Sequence, residues 1–175
     1  MGESEFHLSL STFHCFLTQK STLETKMKKE IPNPYADNRC FICGSNNTEG
    51  LQLKFFRDDE TDEIYTDYIS AEPFFGQGDI LHGAIQMGLL DEIMGWATHA
   101  HTGEMAVTSE ISVKFLAPFY MGKQVRVTCR VTSQEGRRVH LEASLTNADG
   151  VLCSRAAGTY HVLPPDKYEA LIHNG

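Results

Sequence analysis

Two runs in the second half of the chain alternate strictly between apolar and polar residues. They read "QVRVTCRV" and "RVHLEASLT", and their apolar positions lie two residues apart: Val125, Val127, Cys129, Val131, Val139, Leu141, Ala143 and Leu145. Period-two alternation is typical of strands that bury one face and expose the other. Glu135-Gly136 and Asp149-Gly150 follow the runs at hairpin spacing, so the pattern predicts an antiparallel meander over residues 105–162.

A second pair of short runs, "LQLKFF" and "EIYTDYIS", is rich in residues that favour strands. The charged segment "RDDETDE" joins them and is typical of a turn, which predicts another hairpin. The stretch before these runs, "DNRCFICGSNNTEG", is rich in turn-forming residues and is predicted to be a loop that leads into the domain.

The segment "GDILHGAIQMGLLDEIMGWATHAH", Gly78–His101, follows a different pattern. Apolar residues occupy nearly every face of a helix drawn through it, which predicts a long helix buried on all sides. A sheet that curves around such a helix is needed to cover it. The predicted fold class is therefore α+β, with a long central helix wrapped by a curved antiparallel β-sheet of five to six strands.

The chain length of 175 residues fits a single domain. Residues 1–36 show no clear period and end in a Pro-containing segment, so they are predicted to form a poorly ordered or loosely docked extension. The domain itself is predicted over residues 37–163, and residues 164–175 are predicted to form a short C-terminal tail.

The overall charge narrows the classes of partner. A formal charge of -8 and a pI near 5.4 argue against nucleic-acid binding, which needs clustered Lys and Arg. Asp91 and Glu92 interrupt the longest apolar stretch, so no membrane span is predicted. The odd number of cysteines and the acidic residues Glu3 and Glu5, where a secretory signal has positive charge, favour a reduced, cytoplasmic location.

One face of the predicted helix carries a carboxylate among small residues. At spacings of three, four and seven from Asp91 lie Ala84, Gly88, Gly95 and Thr98. Glycine inside a helix costs about 1 kcal/mol relative to alanine, so this face indicates a close approach. Two interpretations stay open: a ligand or partner backbone approaches the carboxylate, or the glycines allow tight packing against a neighbouring strand or subunit.

The start of the predicted helix offers a second chemical group. His82 and Gly83 fall in or near the first turn, where backbone N–H groups lack partners and favour an anion or a polarised carbonyl oxygen. Asp91 lies nine residues after His82, about 13 Å along a straight helix. One reacting atom cannot contact both groups of one chain, so a site that uses both predicts a dimer with shared active sites.

Three segments carry a family resemblance. "HGAIQMGLLDE" resembles the H-G-G-x-x-x-x-x-x-[DE] signature of hotdog-fold acyl-CoA thioesterases of the phenylacetate-degradation and 4-hydroxybenzoyl-CoA thioesterase type. "VTSEISVKFLAPFYMGKQVRVTCRV" resembles the second signature of that family, and "CFICGSNNTEGLQLKFF" resembles the opening of one branch. The resemblance implies a long helix wrapped by an antiparallel sheet and paired in a homodimer or in a dimer of dimers, a homotetramer.

By this resemblance, the chain is expected to hydrolyse a small to medium acyl-CoA, with no cofactor beyond the coenzyme A of the substrate. Asp91 is the expected general base or nucleophile, and the Gly83 N–H is expected to hold the thioester oxygen. Thr108 is expected to help orient the attacking water. The expected substrate-binding residues are His82, Gln77, Ala84 and Gly88.

The chain departs from the family pattern at three positions. Ala84 replaces the second glycine of the signature, and Gly76 stands where relatives often carry Asn or Gln, with Gln77 next to it. Strict alternation places Thr108 on the same strand face as Glu110. Thr108 therefore needs a bulge or an interface position to face a pocket.

Other residues have competing interpretations. Glu92 competes with Asp91 as the acid but lies about 100° around the helix, and His82 is either a catalytic base or a structural residue that fixes the loop. A catalytically silent module that binds acyl-CoA or an acyl carrier protein is the alternative function, and the absence of Asn or Gln at Gly76 favours it.

Metal binding is not expected. Cys40-x-x-Cys43 has half the spacing of a zinc knuckle, but no second Cys-x-x-Cys follows. Cys153, His99 and His101 are further metal-ligand candidates. Basic candidates for the phosphates of coenzyme A are Lys114, Lys123, Arg137, Arg138 and Arg155. Apolar candidates for an acyl pocket are Phe74, Phe75, Met87, Trp96, Phe115 and Phe119.

Overall fold

A computed structural model describes residues 29–35, 39–70 and 72–173. These residues form one seven-stranded antiparallel sheet and two helices. The elements are β1 (Lys29–Glu30), β2 (Phe56–Arg57), β3 (Ile64–Ile69), α1 (Gly83–Thr102), β4 (Ala106–Phe115), β5 (Gln124–Glu135), β6 (Arg138–Asn147), β7 (Leu152–Val162) and α2 (Pro165–His173).

The sheet wraps around α1 as the hydrophobic pattern predicts. The α1 residues Leu89, Leu90, Ile93 and Met94 are fully buried. They pack against the inward side chains of the sheet, which are the apolar positions of the alternating runs: Val125, Val127, Cys129, Val139, Leu141, Ala143 and Leu145. The predicted α+β fold class is confirmed, and the two-residue strands β1 and β2 extend the sheet beyond the five to six strands expected. Neither described helix is apolar enough over a sufficient length to cross a membrane.

The predicted meander is correct for only three of its four strands. The sheet order is β1-β2-β3-β5-β6-β7-β4, so β5, β6 and β7 form the meander while β4 pairs with β7 at the far edge. The reason lies in the connection between β4 and β5, which is too long for a tight hairpin. Its backbone bonds to other elements, for example from Leu116 N–H to Cys153 O and from Gly122 N–H to Ser70 O. The chain thus crosses from the β7 edge to the β3 side.

The hairpin of β2 and β3 is present, but its first strand is much shorter than "LQLKFF" predicts. Phe56 pairs with Tyr65, and Arg57 pairs with Ile64. The residues before Phe56 bond elsewhere: Leu51 N–H donates to Phe41 O and Leu53 N–H to Ile42 O. The segment is therefore extended beside the Cys-x-x-Cys turn instead of joining the sheet.

Both flanks of the predicted domain contain regular structure. Lys29–Glu30, within the predicted extension, pairs with β2, and Pro165–His173, within the predicted tail, forms α2. The predicted extension over residues 1–36 otherwise falls largely outside the described residues. The domain limits therefore remain a prediction.

Candidate active site

The carboxylate of Asp91, on α1, is held by two hydroxyl groups from the sheet. Thr108 on β4 donates from Oγ1 to Asp91 Oδ1 at 2.8 Å. Tyr160 on β7 has its Oη 2.5 Å from the same oxygen and 2.7 Å from the backbone oxygen of Asp91. Asp91 is half-buried, and no described residue donates to Oδ2. Two donors therefore hold one carboxylate oxygen, and the other has no donor among the described residues.

A β-bulge in β4 turns the Thr108 side chain toward α1. The register of β4 against β7 pairs Thr108 with Tyr160 and then Glu110 with Thr159, so Ser109 is the extra residue. A bulge shifts the alternation by one position. Thr108 consequently contacts the helix. From Glu110 onward, the polar and apolar side chains alternate between the two faces of the strand as the sequence predicts.

Tyr160 was missed by the sequence analysis. It is almost fully buried, and burial together with the hydrogen bond to Asp91 raises the pKa of its phenol far above the usual range, so it remains a proton donor. Close packing of β7 on α1 brings it there, since a Cβ at Gly158 would lie 2.7 Å from Met94 Sδ. The sequence did contain an indication of this role. Tyr160 lies an even number of residues from Ala156 on β7, so both side chains point to the inner face of the sheet, and a buried Tyr hydroxyl needs a hydrogen-bond partner.

The start of α1 is arranged around His82. His82 Nδ1 accepts the Ala84 N–H at 3.0 Å, which makes His82 the N-cap residue of the helix. The Gly83 N–H donates to no acceptor among the described residues. The ring of Phe115 lies against Gly83, with Phe115 Cζ 3.3 Å from where a Gly83 Cβ would be. The helix start thus presents one N–H beside an exposed aromatic ring.

The loop before α1 explains the departure at Gly76. Gly76 N–H donates to Ile80 O at 2.7 Å, and a Cβ at Gly76 would lie 3.2 Å from that oxygen and 3.3 Å from His82 Cα. A longer side chain at this position would press on the helix start. Gln77 is exposed, and its backbone oxygen accepts the Ile80 N–H.

The small residues around Asp91 are not equivalent. Ala84 is exposed, whereas Thr98 is fully buried and donates to Met94 O. A Cβ at Gly88 would lie 3.3 Å from Ile42 Cδ1, and one at Gly95 would lie 3.8 Å from Tyr160 Cε1. Both glycines thus face side chains of the same chain, which favours the packing interpretation at these two positions.

Glu92 points away from Asp91 toward the Cys-x-x-Cys turn. Its Oε1 accepts the Trp96 Nε1–H at 3.1 Å, and its Oε2 lies 3.4 Å from Cys40 Sγ. Burial raises the pKa of Glu92 to about 7, and a hydrogen bond with Cys43 lowers the pKa of Cys40 to about 5. The same hydrogen bond raises the pKa of Cys43. This group is separate from the Asp91 site.

The other candidates divide between core and surface. Trp96 and Phe119 are core residues and Phe74 is partly buried, while Phe75, Met87 and Phe115 are exposed. The basic candidates Lys123 and Arg138 are exposed, and Arg137 lies 3.8 Å from Glu104. Lys114 and Arg155 are cross-strand partners on the outer face of the sheet, where they line a surface cavity of about 460 Å³.

A family model matches the part of the chain that contains α1 and the following strands. Residues 78–154 match the model described as the thioesterase superfamily, which confirms the resemblance to the hotdog-fold thioesterase superfamily. The matched segment contains α1, β4, β5 and β6 and the candidates Asp91, Gly83 and Thr108. No curated protein is similar enough to the chain to match it.

Solved structures show the same fold. A thioesterase superfamily protein, RHA08564, is 19% identical with a TM-score of 0.66, over 75% of this chain and 68% of its own. The Escherichia coli PaaI protein from the phenylacetic acid degradation operon is 18% identical with a TM-score of 0.59, over 65% and 81%. The Streptococcus mutans protein smu.793, bound to acetyl-CoA, is 20% identical with a TM-score of 0.55, over 58% and 81%.

Proposed function

We propose that this protein is an acyl-CoA thioesterase that hydrolyses small to medium acyl-CoAs at a site shared by two copies of the chain. The main support for this proposal is the environment of the Asp91 carboxylate. Two hydroxyl donors hold its Oδ1, and its Oδ2 has no donor among the described residues. A half-buried carboxylate with one oxygen held by two hydroxyls and the other without a protein donor is suited to take a proton from water or to attack a thioester carbon.

Asp91 has two chemical routes. As a base, it removes a proton from water while the water oxygen bonds to the thioester carbon; the carbon–sulfur bond then breaks and the coenzyme A thiolate takes the proton. As a nucleophile, its oxygen bonds to that carbon and displaces the thiolate, and water then splits the mixed anhydride into the acid and Asp91. In both routes water and thioester give an acid and a thiol.

The Gly83 N–H is the proposed donor to the thioester oxygen as negative charge develops on it. Gly83 and Asp91 of one helix are eight residues apart, about 12 Å along its axis. We propose that two copies pair about a two-fold axis that lies between these two groups, so that the helix start of one copy lies at the carboxylate of the other. Each dimer then has two shared sites.

The sheet edge supports pairing of two copies. β4 is an edge strand of ten residues that pairs with β7 alone among the described strands. A long open edge is a ready template for another strand. Ala84, Met87 and Phe115 are exposed, and Phe115, the last residue of β4, lies against Gly83 at the start of α1. We therefore propose a homodimer or a dimer of dimers.

The substrate class rests on similarity and on the surface near the helix start. The structure of smu.793, which shares the fold, is bound to acetyl-CoA. Phe75, Met87 and Phe115 offer exposed apolar area for a short acyl chain. Water is the only co-reactant this chemistry needs, so no additional cofactor is proposed. We propose a cytoplasmic location, which the odd number of cysteines favours.

The test is release of free thiol from short-chain, long-chain and aromatic acyl-CoAs. Wild type is compared with Asp91→Ala and Asp91→Asn, and Asp149→Asn is the matched control because Asp149 lies in an exposed turn. We expect turnover in wild type and in the control, and loss in both Asp91 variants. No turnover on any substrate, or unchanged turnover in both Asp91 variants, would contradict the proposal.

A non-catalytic acyl-CoA or acyl carrier protein binder is the second candidate, and the absence of Asn or Gln at Gly76 favours it. A Cβ at this exposed position would lie 3.2 Å from Ile80 O and 3.3 Å from His82 Cα. The two candidates separate in one experiment: binding of an acyl-CoA by calorimetry without thiol release indicates a binder.

A further inference from the structure

Cys40, Cys43 and Glu92 form a cluster that the proposed hydrolysis does not use. One potential ligand atom of each lies within 4.8 Å of the others. Cys43 is buried, and Cys40 and Glu92 are partly buried. Two sulfurs and one carboxylate oxygen are ligands that Zn²⁺ accepts. We propose that this cluster is a Zn²⁺ site that joins the Cys-x-x-Cys turn to α1.

The spacing between the Cys40 sulfur and the Glu92 oxygen fits a tetrahedral ion. Zinc bonds of about 2.3 Å to sulfur and about 2.0 Å to oxygen set a sulfur–oxygen separation of about 3.5 Å in a tetrahedron. Cys40 Sγ and Glu92 Oε2 are 3.4 Å apart. The ion would therefore replace the shared proton between these two groups without a large movement of either side chain.

The turn is already shaped to present its sulfurs. Gly44 N–H donates to Cys40 O at 2.9 Å, which closes the turn, and Ile42 N–H donates to Cys40 Sγ. Backbone donors of this kind stabilise a thiolate. Phe41 O and Ile42 O accept from Leu51 and Leu53, so the turn is anchored on its other side.

Glu92 is oriented by a partner of its own. Trp96, one turn further along α1, donates to Oε1 and leaves Oε2 directed at Cys40. Trp96 is in turn stacked on Phe55, with ring centroids 5.2 Å apart. Hydrogen bonds that orient a ligating carboxylate are a regular part of protein metal sites.

Zn²⁺ binds the thiolate form of cysteine, so the thiol protons are released as the ion binds. The divalent ion then neutralises most of the negative charge that the two thiolates and the Glu92 carboxylate carry in this partly buried volume. Three protein ligands leave the fourth tetrahedral position to water. The site would fix the turn against the helix that carries Asp91.

The experiment measures the metal itself. Full-length reduced protein is incubated with Zn²⁺, freed of excess metal by desalting, and analysed for zinc by mass spectrometry. We expect one Zn²⁺ per chain in wild type, none retained in Cys40→Ser/Cys43→Ser, and affinity weakened by more than about tenfold in Glu92→Gln. Cys129→Ser is the control, because Cys129 is a buried thiol on β5 outside the cluster.

A second readout covers the case in which the double variant does not fold. Zn²⁺ should slow alkylation of Cys40 and Cys43 in wild type, mapped by peptide mass spectrometry against the same peptides without metal. Bound Co²⁺ should show a thiolate charge-transfer absorption. Folded wild type that retains no stoichiometric zinc, zinc equally retained by a folded double variant, or zinc without protection of these cysteines would overturn the proposal. None of these measurements depends on hydrolysis.

Discussion

Asp91 and Glu92 are adjacent acids on one helix, yet they have different surroundings. Asp91 faces the sheet, where the hydroxyls of Thr108 and Tyr160 hold one of its oxygens. Glu92 faces the Cys-x-x-Cys turn, and both of its oxygens have partners, Trp96 and Cys40. Asp91, whose Oδ2 has no donor in the described part of the chain, is suited to chemistry on a substrate, whereas Glu92, with both oxygens engaged, is suited to joining two parts of the fold.

The largest expected effect separates the two acids directly. Asp91→Asn keeps the size of the side chain and removes the base or nucleophile, so kcat should fall by about 10³-fold or more. Glu92→Gln should lower kcat far less, because Glu92 contacts no reacting atom and acts only through the position of the helix. Thiol release at saturating acyl-CoA measures both. A larger loss in Glu92→Gln would reverse the assignment.

The next effect concerns the Gly83 N–H. Proline is tolerated in the first turn of a helix, and His82, with φ -55° and ψ 136°, has the backbone conformation that a residue before proline requires. Gly83→Pro therefore removes the N–H with little change in backbone. Gly83→Ala is the matched control, since it adds a Cβ beside Phe115 and keeps the N–H. We expect kcat about 10²- to 10³-fold lower in Gly83→Pro than in Gly83→Ala.

Mixing these variants tests whether the site is shared. If Asp91 of one copy works with Gly83 of another, a heterodimer of Asp91→Asn and Gly83→Pro chains contains one intact site. An equal mixture after subunit exchange should then recover roughly one quarter of wild-type activity in a two-fold dimer. Activity that stays at the level of the separate variants, with exchange verified, would place both groups in one chain.

A moderate effect is expected from the two hydroxyls. Tyr160→Phe and Thr108→Val keep the shape of each side chain and remove a hydrogen bond to a carboxylate, so kcat should fall by about 10- to 100-fold. The KM should change less, because neither hydroxyl is proposed to bind the acyl-CoA. Thr108→Ser restores the donor and should recover most of the activity. Loss of folding cooperativity in thermal melts, with no specific fall in kcat, would indicate a structural role instead.

The elements that depend on the periodicity of neighbouring residues were predicted correctly from the sequence. The alternation of β5 and β6, their hairpin turns and the apolar helix α1 all follow from residues close together in the chain, and each is present. Asp91 could be identified in the same way, because the small residues on its face lie within two helical turns of it in the sequence. The position of His82 and Gly83 at the start of the helix was predicted from the same local pattern, whereas the bond from Ala84 N–H to His82 Nδ1 was not.

Long-range register could not be predicted. Whether β4 joins β5 or β7 depends on where the connection between β4 and β5 bonds, and the Thr108 bulge depends on that pairing. Tyr160 is 69 residues from Asp91 and Cys40 is 52 residues from Glu92. Periodicity gives the inward face of a strand but not which residue of the helix that face contacts, so both partnerships appear only in the fold.

The smallest effect concerns Gly88 and Gly95, of which one contacts the Cys-x-x-Cys turn and the other contacts Tyr160. A Cβ at Gly95 would lie 3.8 Å from Tyr160, an ordinary contact, whereas a Cβ at Gly88 would lie 3.3 Å from Ile42 on the Cys-x-x-Cys turn. Gly95→Ala should therefore raise the free energy of unfolding by up to about 1 kcal/mol through helix propensity. Gly88→Ala should gain less, because Ile42 must shift. Denaturant unfolding measures both, and gel filtration with thiol release shows whether pairing and turnover persist. If Gly95→Ala abolished either one, a ligand or partner backbone would have to approach Gly95, and the packing interpretation of this face would be wrong.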